Sequence, residues 1–143
     1  MSRHIEGAQP GVYLASMYQR RDEMCIYADI LNRNGFYVTS RWLQEQEPVD
    51  SQMGDHSDEF YYQTSEDDLE DVADADFVIF FAETPETGTT RGGRHVEFGY
   101  ALALNIPVIV VGPKENVFHY NDLVAHFDSF EDALAYSKER FGE

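Results

Sequence analysis

Four stretches of the chain are apolar at nearly every position, and longer polar stretches separate them. VYLAS (12–16) follows a Pro-Gly turn signal, and FYVTSRWL (36–43) follows Asn34-Gly35. DFVIFFAE (76–83) and PVIVVG (107–112) are continuous β-branched and aromatic runs. Runs of this length and type predict strands buried on both faces. AHFDSF (125–130) predicts a weaker fifth strand. Helical patterns alternate with these. Residues 18–33 set Met24, Tyr27, Ala28 and Leu31 on one stripe, which Gly35 ends. A helix over 65–75 is expected to begin at Ser65, with acids in its first turn. Residues 93–105 and 130–141 complete the set. Alternation of this kind predicts an α/β fold of three layers, flavodoxin-like or Rossmann-like, with a five-stranded parallel sheet.

Residues 44–64 break the alternation. QEQEPVDSQMGDHSDEFYYQT is polar and then turns aromatic, so it is expected to be a long loop. Its His56, Phe60, Tyr61 and Tyr62 either cover a ligand or anchor the loop to the surface. With 143 residues, no repeat and no second composition, the chain is expected to form one domain over 1–143.

Charge narrows the choice of partner. The formal net charge is −17, and the segment between Trp42 and Thr90 holds 15 acids with no Lys or Arg. Nucleic acid and anionic membranes need basic groups to replace counterions, so neither is expected as a partner. The first residues, MSRHIEGAQPG, show no secretory pattern, and a cytosolic location is expected. One cysteine, Cys25, leaves no internal disulfide and no Cys-rich zinc site. The five histidines form no tight metal pair. The first strand-to-helix connection, ASMYQRRDE, has neither GxGxxG nor a Ser/Thr-rich phosphate cradle. No metal, flavin or other cofactor is expected.

In an open parallel sheet, ligands bind beyond the carboxyl ends of the strands. Four segments fall there: Ala15-Ser16 through Arg21, the stretch after Trp42, Glu83 through Gly93, and the turn after Gly112. The third of them leads into RGGRHVEFGYALA (91–103). Here Gly92, Gly93 and Gly99 leave room for close approach, and a single carboxylate, Glu97, stands in the first turns of an otherwise apolar helix. The helix dipole favours its ionised form.

Three of these motifs, in order, resemble the nucleoside 2-deoxyribosyltransferases and the related nucleoside 5′-monophosphate N-glycosidases. They are VYLAS with Tyr13, DDLEDVADADFVIFF, and VEFGYA followed by PVIVVG, together covering about residues 12–112. The resemblance implies that Glu97 is the catalytic nucleophile, that Asp68 contacts and helps protonate the leaving base, and that Tyr13 stands near the nucleophile. Transferases carry an aspartate six residues before the nucleophile and the monophosphate hydrolases a serine. This chain has Arg91. Ser16, Arg20 and Arg21 after the first strand suit phosphate recognition, since arginine forks match phosphate oxygens. A substrate with a 5′-phosphate is therefore expected. Trp42, Glu83, Gly92 and Gly93 complete the expected substrate-binding set. The family completes each site with residues of a neighbouring subunit. A homodimer is thus implied, with Asn116, Phe118 and His119 near the partner's pocket. The activity implied is cleavage of an N-glycosidic bond with transfer of the sugar to a base. Hydrolysis is the first alternative, and nucleotide binding without turnover the second.

Overall fold

The computed structural model describes residues 8–44, 56–87 and 91–142. Five parallel strands form one sheet: β1 (Gly11–Ala15), β2 (Tyr37–Val38), β3 (Phe77–Phe81), β4 (Val108–Val111) and β5 (Val124–Phe127), in the order β2-β1-β3-β4-β5. The helices are α1 (Arg21–Arg33), α2 (Asp58–Ala73), α3 (Gly93–Ala103) and α4 (Phe130–Phe141). Register runs from Val12 opposite Phe77 to Ala15 opposite Phe80, and from Val78 opposite Val108 to Phe81 opposite Val111. Strand order reverses beside β1, and the crevice between β1 and β3 is the switch point at which such sheets bind ligands.

Alternation along β3 shows the layering. Successive strand residues face opposite sides of the sheet. Phe81 stacks on Tyr27 of α1 at 5.3 Å, and Tyr27 in turn stacks on Phe130 of α4 at 4.1 Å. Phe80 meets Phe98 of α3 edge-on at 5.2 Å, and α2 packs beside α3. Helices α1 and α4 thus cover one face, and α2 and α3 the other. Strands β1, β3 and β4 are buried along their whole length. This explains why their sequences are apolar without alternation.

Two expectations change. The strand expected over 36–43 stops after Val38 and gives way to a 3-10 turn, Arg41–Gln44. The reason lies in the side chains that follow. The backbone N–H of Leu14 donates to Ser40 Oγ at 2.7 Å, and its carbonyl accepts from Trp42 Nε1 at 3.0 Å. Side chains therefore take the Leu14 groups that a longer edge strand would have paired. The helix expected to begin at Ser65 begins at Asp58. Its N-cap is Ser57, which accepts the Phe60 N–H, and Asp58 and Glu59 fill the first turn. Ser65 lies within the helix and donates to the Tyr62 carbonyl. Phe60, Tyr61 and Tyr62 are therefore helical and not loop residues, and His56 stacks on Phe60 at 4.1 Å. Of the loop expected over 44–64, residues 45–55 lie outside the described residues.

Candidate active site

The site assembles on the face covered by α2 and α3. Tyr13 is fully buried in the middle of β1, and its hydroxyl donates to Glu97 Oε2 at 2.6 Å. Glu97 stands in the second turn of α3. It keeps some surface open to solvent, but protein surrounds the carboxyl closely. Burial pushes its pKa up to about 8, against the Tyr13 hydrogen bond, which favours the anion; the charges of Asp68 and Asp71 push it further up. The dipole of α3 was expected to favour ionisation. Its influence fades beyond the first turn, and burial outweighs it at Glu97. Tyr13 itself is held well above the ordinary phenol value, by burial first and then by the Glu97 charge.

Asp68 belongs to α2 and is half-buried, with its charge acting on both Tyr13 and Glu97. One turn further, Asp71 is almost fully buried. Its Oδ2 accepts the Arg41 backbone N–H at 2.9 Å and its Oδ1 the Arg41 Nε–H at 2.8 Å. Asp71 was not read from the sequence as part of the site. Its signal was the i, i+3 spacing from Asp68, hidden inside a run of acids. The structure thus brings Tyr13 and Glu97 into contact at the switch point, with the charges of Asp68 and Asp71 acting on both.

The remaining expected site residues take several different places. Ser16 donates to the Met17 carbonyl at 2.6 Å. Arg20 grips both oxygens of Glu23 through Nε and Nη2 at 2.8 Å each, and reaches Glu83 through Nη1 at 2.8 Å. Its fork therefore holds carboxylates where a phosphate was expected. Arg21 donates to the Leu43 carbonyl at 2.7 Å. Trp42 is buried and ties the 3-10 turn to β1. Glu83 also accepts from the Thr87 hydroxyl at 3.1 Å. Arg91 is exposed, and Gly92 precedes α3 with φ +87°, a left-handed conformation that suits glycine. Gly93 opens α3.

After β4, Asn116 caps the 3-10 turn Val117–Tyr120 by accepting the Phe118 N–H at 2.9 Å. The three rings of this turn do not share a fate. Phe118 and Tyr120 face solvent, while His119 is buried against Phe80 and Phe98. His119 Nδ1 accepts the Glu115 N–H at 3.0 Å, and burial holds its pKa below the ordinary value, which keeps the ring neutral.

Among the described residues, no three His, Cys, Asp or Glu side chains are grouped as a metal ion would need. No helix among them is long and apolar enough to cross a membrane.

No protein-family model matches the sequence, nor does any curated protein. Solved structures do match. A 2-deoxyribosyltransferase from Bacillus psychrosaccharolyticus superposes with a TM-score of 0.67 at 22% identity, over 88% of this chain and 91% of that one. The CMP N-glycosidase of Clostridium botulinum gives 0.57 at 18% identity, over 90% and 98%. A conserved protein from Enterococcus faecalis V583 gives 0.61 at 17% identity, over 94% and 100%. The five-stranded parallel sheet with two helices on each face is therefore the fold that this chain shares with a 2-deoxyribosyltransferase and a CMP N-glycosidase.

Proposed function

We propose that this protein cleaves the N-glycosidic bond of a (deoxy)nucleoside or its 5′-monophosphate and transfers the sugar to another base, with Glu97 as nucleophile. The observation that carries this reading is the hydrogen bond from Tyr13 to Glu97 at the switch point. It aims one carboxyl oxygen and leaves the other for chemistry. As the C1′–N bond breaks, its electron pair leaves with the base and positive charge builds on the sugar ring. A carboxylate below C1′ stabilises that charge and bonds to C1′, giving a glycosyl ester. Asp68 serves as the proton donor to the departing base. An incoming base then attacks C1′, gives its N–H proton to Asp68, and releases Glu97 as the carboxylate. Tyr13 holds the carboxylate in place and stabilises its anion. In a site this buried, the anion is costly until the cationic sugar forms opposite it, which favours the transition state over the ground state.

Hydrolysis differs only in the attacking group, with water in place of a base, and the likeness to a CMP N-glycosidase keeps it as the second reading. Between the two substrate forms, the engagement of Arg20 by Glu23 and Glu83 favours the unphosphorylated nucleoside. The protein is further proposed to act as a homodimer.

A panel of deoxynucleosides, ribonucleosides and their 5′-monophosphates, with and without an acceptor base, tests this reading. Base exchange is the expected result. Free sugar would point to the hydrolase, and no turnover to a binding module. Glu97→Gln is expected to lose turnover, at least about a thousandfold, because an amide is no anionic nucleophile. A raised carboxyl pKa means that ionisation opposes folding as pH rises from the unfolded value toward 8. The amide escapes that cost, so the variant should melt at or above the native temperature near pH 8. Full activity in Glu97→Gln would remove the nucleophile assignment.

A further inference from the structure

Glu115 stands in the turn after β4 and has no role in the chemistry above. Its carboxylate closes two hydrogen bonds with the Arg94 guanidinium, Nη1 to Oε2 and Nη2 to Oε1, the latter at 3.0 Å. Oε2 also accepts the Glu83 backbone N–H at 3.0 Å, and His95 Nε2 lies 3.8 Å from Oε1. The backbone N–H of Glu115 reaches His119 at 3.0 Å. Three segments of the site therefore meet on one residue: the connection after β3, the first turn of α3, and the 3-10 turn Val117–Tyr120.

Helix α3 needs such an anchor. Helices α2 and α4 are capped by Ser57 and Ser129, whereas α3 starts at Gly92 with no side-chain cap and no acid in its first turn. Arg94 lies one turn before Glu97, so whatever fixes Arg94 fixes the helix that carries Glu97. Arg94 is only 5% exposed, and its guanidinium sits over Phe80 at 5.1 Å. A buried cation requires a counter-charge with good geometry. Burial raises the Glu115 carboxyl pKa, but Arg94 and the Glu83 N–H outweigh this and hold it below the ordinary value, so it remains anionic.

We propose that Glu115 is a positioning residue for N-glycosidic cleavage: through Arg94 it fixes the uncapped start of α3, and so the placement of Glu97 against Tyr13 and C1′. Through His119 it couples that placement to the exposed turn Val117–Tyr120. The kinetic part of this rests on Glu97 as nucleophile; the clamp itself does not.

Two variants separate the clamp from bulk stability: Glu115→Gln, and the apolar pair Arg94→Met/Glu115→Leu. In Glu115→Gln, amide exchange at residues 93–98 should speed up by about tenfold or more while α4 keeps its native rate. Its kcat should fall about tenfold to a hundredfold with KM changed by less than about threefold, as expected of a misplaced catalytic group. A well-packed apolar pair often replaces a buried ion pair without loss of stability, so the double variant should regain the native Tm. Its kcat should nevertheless stay low. Unchanged exchange at 93–98 in Glu115→Gln overturns the proposal, as does a kcat in the double variant that recovers together with its Tm. If Glu115→Gln does not fold, the double variant decides alone. If the native chain turns over no member of the panel, the functional reading fails, and the exchange measurement still decides the clamp.

Discussion

At Glu97 two opposing effects act on one proton. Burial favours the neutral acid, and the short hydrogen bond from Tyr13 favours the anion; burial wins, with a pKa of about 8. At pH 7 only about a tenth of such a group is ionised in the free protein. Removing the phenol removes the hydrogen bond that favours the anion. A hydrogen bond to a charged group contributes about 1.5–3 kcal/mol, so Tyr13→Phe should raise the Glu97 pKa by about one to two units. The acid limb of the kcat/KM profile should then move upward by that amount. Activity at pH 7 should fall about tenfold or more and return in part toward pH 9. A limb that stays in place would show that Tyr13 does not act on Glu97. This pair was legible in the sequence only through the resemblance, because nothing local links residues 84 apart. Asp71 and the Arg94–Glu115 pair were not legible. One sat in a run of acids, and the other joins residues 21 apart that share no element.

At the scale of elements, the same reasoning separates what periodicity could show from what it could not. Strands β1, β3 and β4 are buried on both faces, so every position is apolar and the runs stand out. Strand β2 was overread because Thr39, Ser40 and Trp42 look like strand residues, while their side chains bond to β1 and α2 from outside the ladder. The start of α2 differs from the expected one because Phe60, Tyr61 and Tyr62 follow a polar stretch that suggests a loop, and Ser65, followed by acids, has the pattern of an N-cap. Helix α3 was read correctly, and its start at Gly92 allows a controlled test. Gly92 and Gly35 have nearly the same φ, +87° and +92°, and an added Cβ meets nothing within 4 Å at either. Alanine at each should therefore cost only backbone strain, about 1–2 kcal/mol, and lower Tm by a similar few degrees. The kinetic effects should differ. Gly92→Ala distorts the entry to the helix that carries Glu97 and should reduce kcat several-fold. Gly35→Ala, at the far end of α1, should leave kcat near native. Equal kcat values in the two variants would show that the entry to α3 does not control the site.

At the scale of the whole molecule, charge and apolar exposure oppose each other. A net charge of −17 keeps copies apart, yet Val117, Phe118 and Tyr120 are 75%, 62% and 69% exposed on a single 3-10 turn. That turn is held firmly from below: His119 is buried beneath it, Asn116 caps it, and Lys114 lies over the Tyr120 ring at 4.3 Å. A rigid turn that presents three large side chains to water fits an interface better than a free surface. A two-fold axis would place the turn of each copy against the other and give two equivalent sites. The expected mass by light scattering at micromolar concentration is twice 16.4 kDa. Because association must overcome like charge, the dimer should tighten as salt is added, within the range where screening lengths fall below about 10 Å. Replacing Val117 and Phe118 by serine should give a monomer that keeps its native Tm. A wild-type chain that runs as a monomer at both low and high salt removes the dimer. If the turn also completes the partner's site, mixing Glu97→Gln with a milder turn variant that still associates, Phe118→Ala alone, should restore part of the activity that each lacks alone. Association without such restoration would leave the turn as a contact surface remote from Glu97.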